Sequence, residues 1–132
     1  MAASYSSLIG LAHETPAVRR TVALKLLERV AEHWNLRKHH LPALLNRPPR
    51  TVRDWAENDR APLEPDALER ISHLLGIYDG LHRLYGDERF ADQWVHRPNP
   101  AFGGHAPTEL LLSGRFTALV EVRRYIDQAL NS

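Results

Sequence analysis

The chain has no cysteine. Disulfides, thiolate metal sites and cysteine nucleophiles are excluded together, and the lack fits a cytoplasmic protein. No stretch reaches the roughly 18 uninterrupted apolar residues of a membrane helix, and the N-terminus lacks the basic region and continuous apolar core of a secretory signal. No membrane contact is therefore expected. No segment alternates convincingly at period two, so no sheet is expected. There is no G-x-x-x-x-G-K-[ST] phosphate loop and no HExxH pair, and no internal repeat is visible. The eight histidines do not repair these gaps. His39 and His40 are adjacent and cannot share a helical face; His73 and His82 are nine apart. They read as surface residues, with no metal site and no cofactor. Ser and His occur without a spacing that suggests a triad, which chain order alone does not exclude.

What is present is a chain of 132 residues, enough for one domain or a small core with an appended module. Its 43% apolar content is ordinary for a globular protein. The net charge of +1 conceals a polarity. Residues 1–60 hold ten Lys/Arg against six Asp/Glu, and residues 61–132 hold seven against ten. Two partners of opposite character would suit a basic first half and an acidic second. Solvated surfaces also produce differences of this size.

Periodicity predicts an all-α fold. Residues 1–14 read as a loose arm, with Leu8, Ile9 and Leu11 able to dock. A helix starts at Thr15-Pro16, Thr capping and Pro leading, and carries Val18, Val22, Leu26, Leu27, Val30 and Trp34 to about Asn35. His39–Leu45 is a short helix, Asn46-Arg47-Pro48 a turn, and Pro49 opens a helix with Val52, Trp55 and Ala56 inward. Residues 60–65 form a linker. Asp66 to about Tyr85 is a long amphipathic helix on Leu68, Ile71, Leu74, Leu75, Tyr78, Leu81 and Tyr85. Its Gly76 and Gly80 mark a kink or a close helix contact. A helix over Asp87–Val95 pairs Phe90 with Trp94. Pro107–Leu112 is little more than one turn, closed by Ser113-Gly114. Arg115–Leu130 carries Phe116, Leu119, Val120, Ile126 and Leu130 on one face. The expected division is 1–14 arm, 15–65 helix-turn-helix, 66–132 second helical domain.

The pair 39–45 and 49–58 fits a helix-turn-helix, whose second helix enters the major groove. Arg50, Thr51, Arg53 and Asp54 would face outward. Arginine forks onto guanine or onto phosphate, and Lys38 and Arg47 lie where phosphate contacts are useful. The competing reading is a solvated helix face, because Arg50–Asp54 and Arg53–Glu57 are both i, i+4 pairs. The spacing over Leu41–Ile77 resembles the Xre-type DNA-binding fold. The usual turn glycine is missing, but Asn46 can adopt the left-handed conformation.

The stretch Trp94–Arg115 is the most distinctive. Pro98 and Pro100 stiffen a loop, Gly103 and Gly104 allow backbone angles that side chains block, and Phe102 stands in the loop as an exposed contact. Pro107 starts a helix behind a weak cap, Ala106. Trp94, Leu110 and Leu111 read as core; Arg97–His105 is the better recognition surface. The pattern W-x-x-x-P-N-P-x-F-G-G, formed by Trp94, Pro98, Asn99, Pro100, Phe102, Gly103 and Gly104, precedes P-x-E-L-L-x-x-G-R, formed by Pro107, Glu109, Leu110, Leu111, Gly114 and Arg115. Together they resemble the toxin-binding domain of Xre/MbcA/ParS antitoxins. Val122-Arg123-Arg124-Tyr125-Ile126 suits the family's ending, and the resemblance covers about residues 36–132.

The resemblance implies a non-enzymatic antitoxin encoded with a RES-class toxin that degrades NAD or transfers its ADP-ribose. The antitoxin would cover the toxin's NAD cleft with the loop residues Arg97, Pro98, Asn99, Phe102, Gly103, Gly104 and His105, with Arg115, and with the chain's end. In that end, Arg123, Arg124, Asp127, Asn131 and Ser132 are the expected contacts. The N-terminal module would dimerise and place two recognition helices on a palindromic operator through Lys38, Arg47, Arg50, Thr51 and Arg53, within a larger toxin–antitoxin hetero-oligomer. Two alternatives stay open: a plain helix-turn-helix regulator with a C-terminal sensing or oligomerisation domain, and a protein-binding inhibitor whose helix-turn-helix no longer reads DNA.

Overall fold

Prolines and two left-handed asparagines set most of the helix boundaries. The computed structural model describes residues 16–58 and 63–132, with side chains from residue 22 onward. The expected arm 1–14, the Thr15 cap, the Val18 side chain and linker residues 60–62 lie outside the described residues. The helices are α1 (Pro16–His33), α2 (Leu41–Leu45), α3 (Pro49–Glu57), α4 (Pro65–Leu84), α5 (Glu88–Trp94), α6 (Pro107–Leu111) and α7 (Phe116–Leu130). Single 3-10 turns cover Lys38–His40 and Pro100–Phe102. Among the described residues there is no strand, and the fold is all-α as expected. No helix among them is long and apolar enough to cross a membrane.

The helix expected over His39–Leu45 divides at Leu41. Pro42 has no N–H to continue the ladder, and the Leu41 amide bonds back to Lys38 in a 3-10 step. Asn35 ends α1 at φ 56, and the Leu36 N–H then reaches the Ala31 carbonyl at 2.8 Å. Asn46 repeats the device at φ 51, with Arg47 N–H donating to Pro42 O at 3.0 Å. Both are Schellman closures in which Asn stands in for glycine. The turn of the helix-turn-helix therefore keeps its geometry without glycine.

α4 is the central element, packed on α1 along one side and on α7 along another. That explains why burial on α4 exceeds a single stripe: Ala67, Ile71, Leu74, Leu75, Ile77, Tyr78 and Leu81 are all buried. One continuous apolar core joins Leu27, Val30 and Trp34 near the start of the chain to Val122 and Ile126 near its end. Gly76 and Gly80 are contacts, not breaks. The α-helix runs through both, and a Cβ on Gly80 would stand 2.6 Å from Ile126 Cγ2. This contact fixes the rotation of α7. Its buried residues are Ala118, Leu119, Val122 and Ile126, whereas Val120, expected inward, is half-exposed. Ala56 of α3 was also expected inward and is exposed; Val52 and Trp55 alone anchor that helix.

Candidate functional site

Two surfaces carry the residues singled out from sequence. The first is α3 with its flanks. Pro49 leads this helix from Pro48, and no side chain caps it. Val52 and Trp55 enter the core, which turns Arg50, Arg53 and Asp54 to solvent and leaves Thr51 half-buried. Neither Arg50–Asp54 nor Arg53–Glu57 closes as an ion pair among the described residues. Lys38 is exposed and shares with Arg53, Val52, Pro49 and Leu41 the lining of a cleft of about 510 Å3 between α2 and α3.

Arg47 behaves differently from the other expected phosphate ligands. Its Nη2 lies 2.6 Å from Glu64 Oε2 and 3.0 Å from Asp66 Oδ2, and Nη1 donates to Asn46 O at 2.9 Å. Asp66 also accepts from Arg70 Nε at 3.1 Å, and Arg70 Nη1 donates to Gly114 O at 2.8 Å. Arg70 is buried, with its guanidinium 5.5 Å from the centre of the Phe116 ring. Burial opposes ionisation of Asp66, but hydrogen bonds from Arg70 and Arg47 outweigh it and hold the carboxyl below its usual range. A polar chain thus links the helix-turn-helix turn to the loop before α7. Sequence reasoning missed Arg70; the available signal was the i, i+4 pair Asp66–Arg70.

The second surface is the loop after α5. Asn99 organises it: Oδ1 accepts from Ala101 N at 2.9 Å, its N–H reaches His105 O at 3.1 Å, and its carbonyl accepts from Phe102 N at 2.9 Å and Gly104 N at 3.0 Å. Gly103 and Gly104 take φ +66 and +85, which side chains rarely tolerate. Phe102, expected to be exposed, is buried. Its ring lies 5.3 Å from Tyr125 and 6.3 Å edge-on from Trp94, and Trp94 stacks on Tyr125 at 5.8 Å. The closed backbone turn folds the ring inward, where burial of an aromatic is worth about 1.5–3 kcal/mol. Phe102 therefore shapes the loop from beneath.

Around that rigid base, Arg97, Pro98, Gly103, Gly104 and His105 are exposed. Arg97 lies 4.3 Å over the Phe90 ring and donates to Gln93 at 3.3 Å. His105 Nδ1 is 3.4 Å from Glu109, whose other oxygen accepts from Ala106 N at 2.8 Å. This backbone bond, then His105, lowers the Glu109 pKa. It also gives the Ala106 N–H an acceptor, the Glu half of a capping box whose other half Ala106 has no side-chain oxygen to make.

The α7 candidates do not form one cluster. Arg115 and Asn131 flank the helix at opposite ends, separated by about 24 Å at 1.5 Å per residue. Arg124, Asn131 and Ser132 are exposed. Arg123 is half-buried; it pairs with Asp127 at 3.4 Å, and its guanidinium lies against Gly76. The loop joins this helix through Tyr125, which the sequence reading did not place among the contacts.

Comparison with known proteins accounts for both surfaces. Residues 13–76 match the antitoxin Xre-like helix-turn-helix domain, and residues 81–130 match the antitoxin Xre/MbcA/ParS C-terminal toxin-binding domain. The chain is 31% identical over 118 residues to "Uncharacterized protein y4oB" of Sinorhizobium fredii (strain NBRC 101917 / NGR234), covering 89% of this chain and 92% of that protein. No solved structure matches. With a helix-turn-helix and a toxin-binding domain spanning most of its length, the chain belongs to the Xre/MbcA/ParS antitoxin family.

Proposed function

We propose that this antitoxin neutralises a RES-class toxin that degrades NAD or transfers its ADP-ribose, and that it represses its own operon as a homodimer within a toxin–antitoxin hetero-oligomer. The loop Arg97–His105 and the end of α7 cover the toxin's NAD cleft. Exposed Arg97, Arg124 and Asn131 occupy polar groups that would hold the dinucleotide. Arg50, Thr51 and Arg53 of α3 meet the operator, with Lys38 on an adjacent phosphate. Arg47 acts indirectly, by fixing the turn that aims α3.

The observation that carries this reading is the rigid, Asn99-centred loop held against α7 by Phe102 and Tyr125 in a toxin-binding domain. The DNA half rests on Arg50 and Arg53 being exposed and free of ion pairs among the described residues. Co-expression with the toxin encoded beside it should restore growth and cellular NAD and yield a co-purifying complex. An Arg124→Glu, Asn131→Ala variant should lose that protection while remaining folded. Rescue by the double variant equal to that of the parent would remove the blocking role of α7. Arg50→Ala with Arg53→Ala should weaken promoter binding by at least tenfold, at about 1–3 kcal/mol per base-reading arginine, and flatten its salt dependence. Promoter affinity unchanged in that variant would exclude α3 as the reading helix.

A further inference from the structure

His33 at the end of α1, Glu88 and Asp92 on one face of α5, and His82 of α4 meet where the helix-turn-helix region touches the toxin-binding domain. They line neither surface described for the toxin or for DNA. One ligand atom from each of His33, Glu88 and Asp92 can be chosen so that all three lie within 4.8 Å of one another. The separation of His33 Nδ1 from Asp92 Oδ2 is 3.4 Å. That is long for a charge-assisted hydrogen bond, at about 2.7–2.9 Å. It equals the spacing of two ligands about 2.1 Å from a tetrahedral zinc ion, roughly 3.4 Å. The other Asp92 oxygen accepts from His82 Nε2 at 2.9 Å, leaving Oδ2 turned to His33. Such an outer partner orients a ligating group. Tyr78 holds both imidazoles, with ring centres 4.2 Å from His82 and 5.5 Å from His33.

The same three residues border an open cleft of about 550 Å3. His96, also on its wall, is tied to the Trp34 carbonyl and is not needed as a donor.

From this geometry we infer a binding site for a divalent transition-metal ion of the zinc class, ligated by His33 Nδ1, Asp92 Oδ2 and a Glu88 carboxylate oxygen. His82 steadies Asp92, and the fourth position opens to the cleft. One imidazole and two carboxylates suit zinc, cobalt or nickel better than calcium or magnesium, which prefer all-oxygen shells. The ion clamps the end of α1 to α5 and so stiffens the junction of the two functional regions. Sequence reading could not assemble this set, because its histidine and carboxylates are separated by more than fifty residues.

The test uses tag-free, full-length protein stripped with EDTA and titrated with Zn2+ by calorimetry, with Co2+ as spectroscopic probe. One ion per chain should bind, and Co2+ should give the intense visible bands of a low-coordinate site. At a free metal concentration about a hundred times Kd, the melting temperature should rise by roughly 10 °C. His33→Ala and Glu88→Gln should each weaken binding by more than about tenfold; Glu88 is exposed, so its amide variant leaves the fold intact. His39→Ala with His40→Ala, which removes a histidine pair away from the site with ring centres 4.1 Å apart, should leave affinity unchanged. Absence of binding at micromolar Zn2+, binding retained by both site variants, or binding lost with His39 and His40 would each overturn the assignment.

Discussion

Gly76 and Gly80 stand one helical turn apart on α4, yet a methyl group at each meets a different kind of neighbour. At Gly80 it meets Ile126 Cγ2 at 2.6 Å, a branched side chain that is fully buried. Overpacking of this kind costs about 1–3 kcal/mol and outweighs the roughly 1 kcal/mol that alanine gains over glycine in a helix. Gly80→Ala should therefore destabilise the fold by about 1 kcal/mol, read as a lower denaturation midpoint at unchanged slope. At Gly76 the three atoms nearest the methyl all belong to the guanidinium tip of Arg123, whose side chain is 32% exposed and, among the described residues, held only by a partly exposed pair with Asp127, so it can swing outward. Gly76→Ala should be neutral or stabilising by up to about 1 kcal/mol. Equal losses in the two variants would mean that Arg123 is fixed as firmly as Ile126.

At the scale of elements, α4 belongs to both functional regions: the helix-turn-helix match ends at residue 76 and the toxin-binding match begins at residue 81, both inside Pro65–Leu84. Arg70 extends this sharing to the loops, because its one guanidinium bonds Asp66 and the Gly114 carbonyl. Arg70→Met keeps the aliphatic stem but leaves Gly114 O without its donor. Since Asp66 is half-exposed and can turn to water, the loss should be about 2 kcal/mol, below that of a fully buried pair. Chemical denaturation measures it directly, and a change under about 0.5 kcal/mol would show that the link carries no stability. The helices themselves were legible in sequence because Pro16, Pro49 and Pro107 mark starts and apolar spacing marks the faces; the long helix begins one residue earlier than expected, at Pro65 instead of Asp66. The Asn46 turn was legible too, since few residues other than glycine adopt its angles. The rotation of α7 and the burial of Phe102 were not. Both depend on a partner distant in sequence, Gly80 for Ile126 and Tyr125 for Phe102. The ion pairs of Arg47 were not legible for the same reason: the carboxylates that engage it lie at Glu64 and Asp66.

For the molecule as a whole, the joined core makes stability sensitive to acid through His73. His73 projects from α4 with its ring edge-on to Phe116 at 5.5 Å, and its Nδ1 is buried without a hydrogen-bond partner among the described residues. Burial first, and the Arg123 charge second, push its pKa below the ordinary value, against weaker pulls from Glu69 and Asp127. The unfolded chain therefore takes up this proton at a higher pH than the folded protein does. Above about pH 6.5 both states hold His73 neutral, and the stabilisation is fully present. As pH falls below that value the unfolded state binds more protons, and stability declines until the folded pKa is passed. Asp66 adds a separate loss further into acid, because its carboxyl is held below the usual range. Melting temperatures followed from about pH 8 to pH 5 should fall in the native protein, and fall less steeply in His73→Phe, which keeps the aromatic contact and has no proton to gain. Parallel curves for the two proteins would show that His73 does not set the acid limit of this joined core.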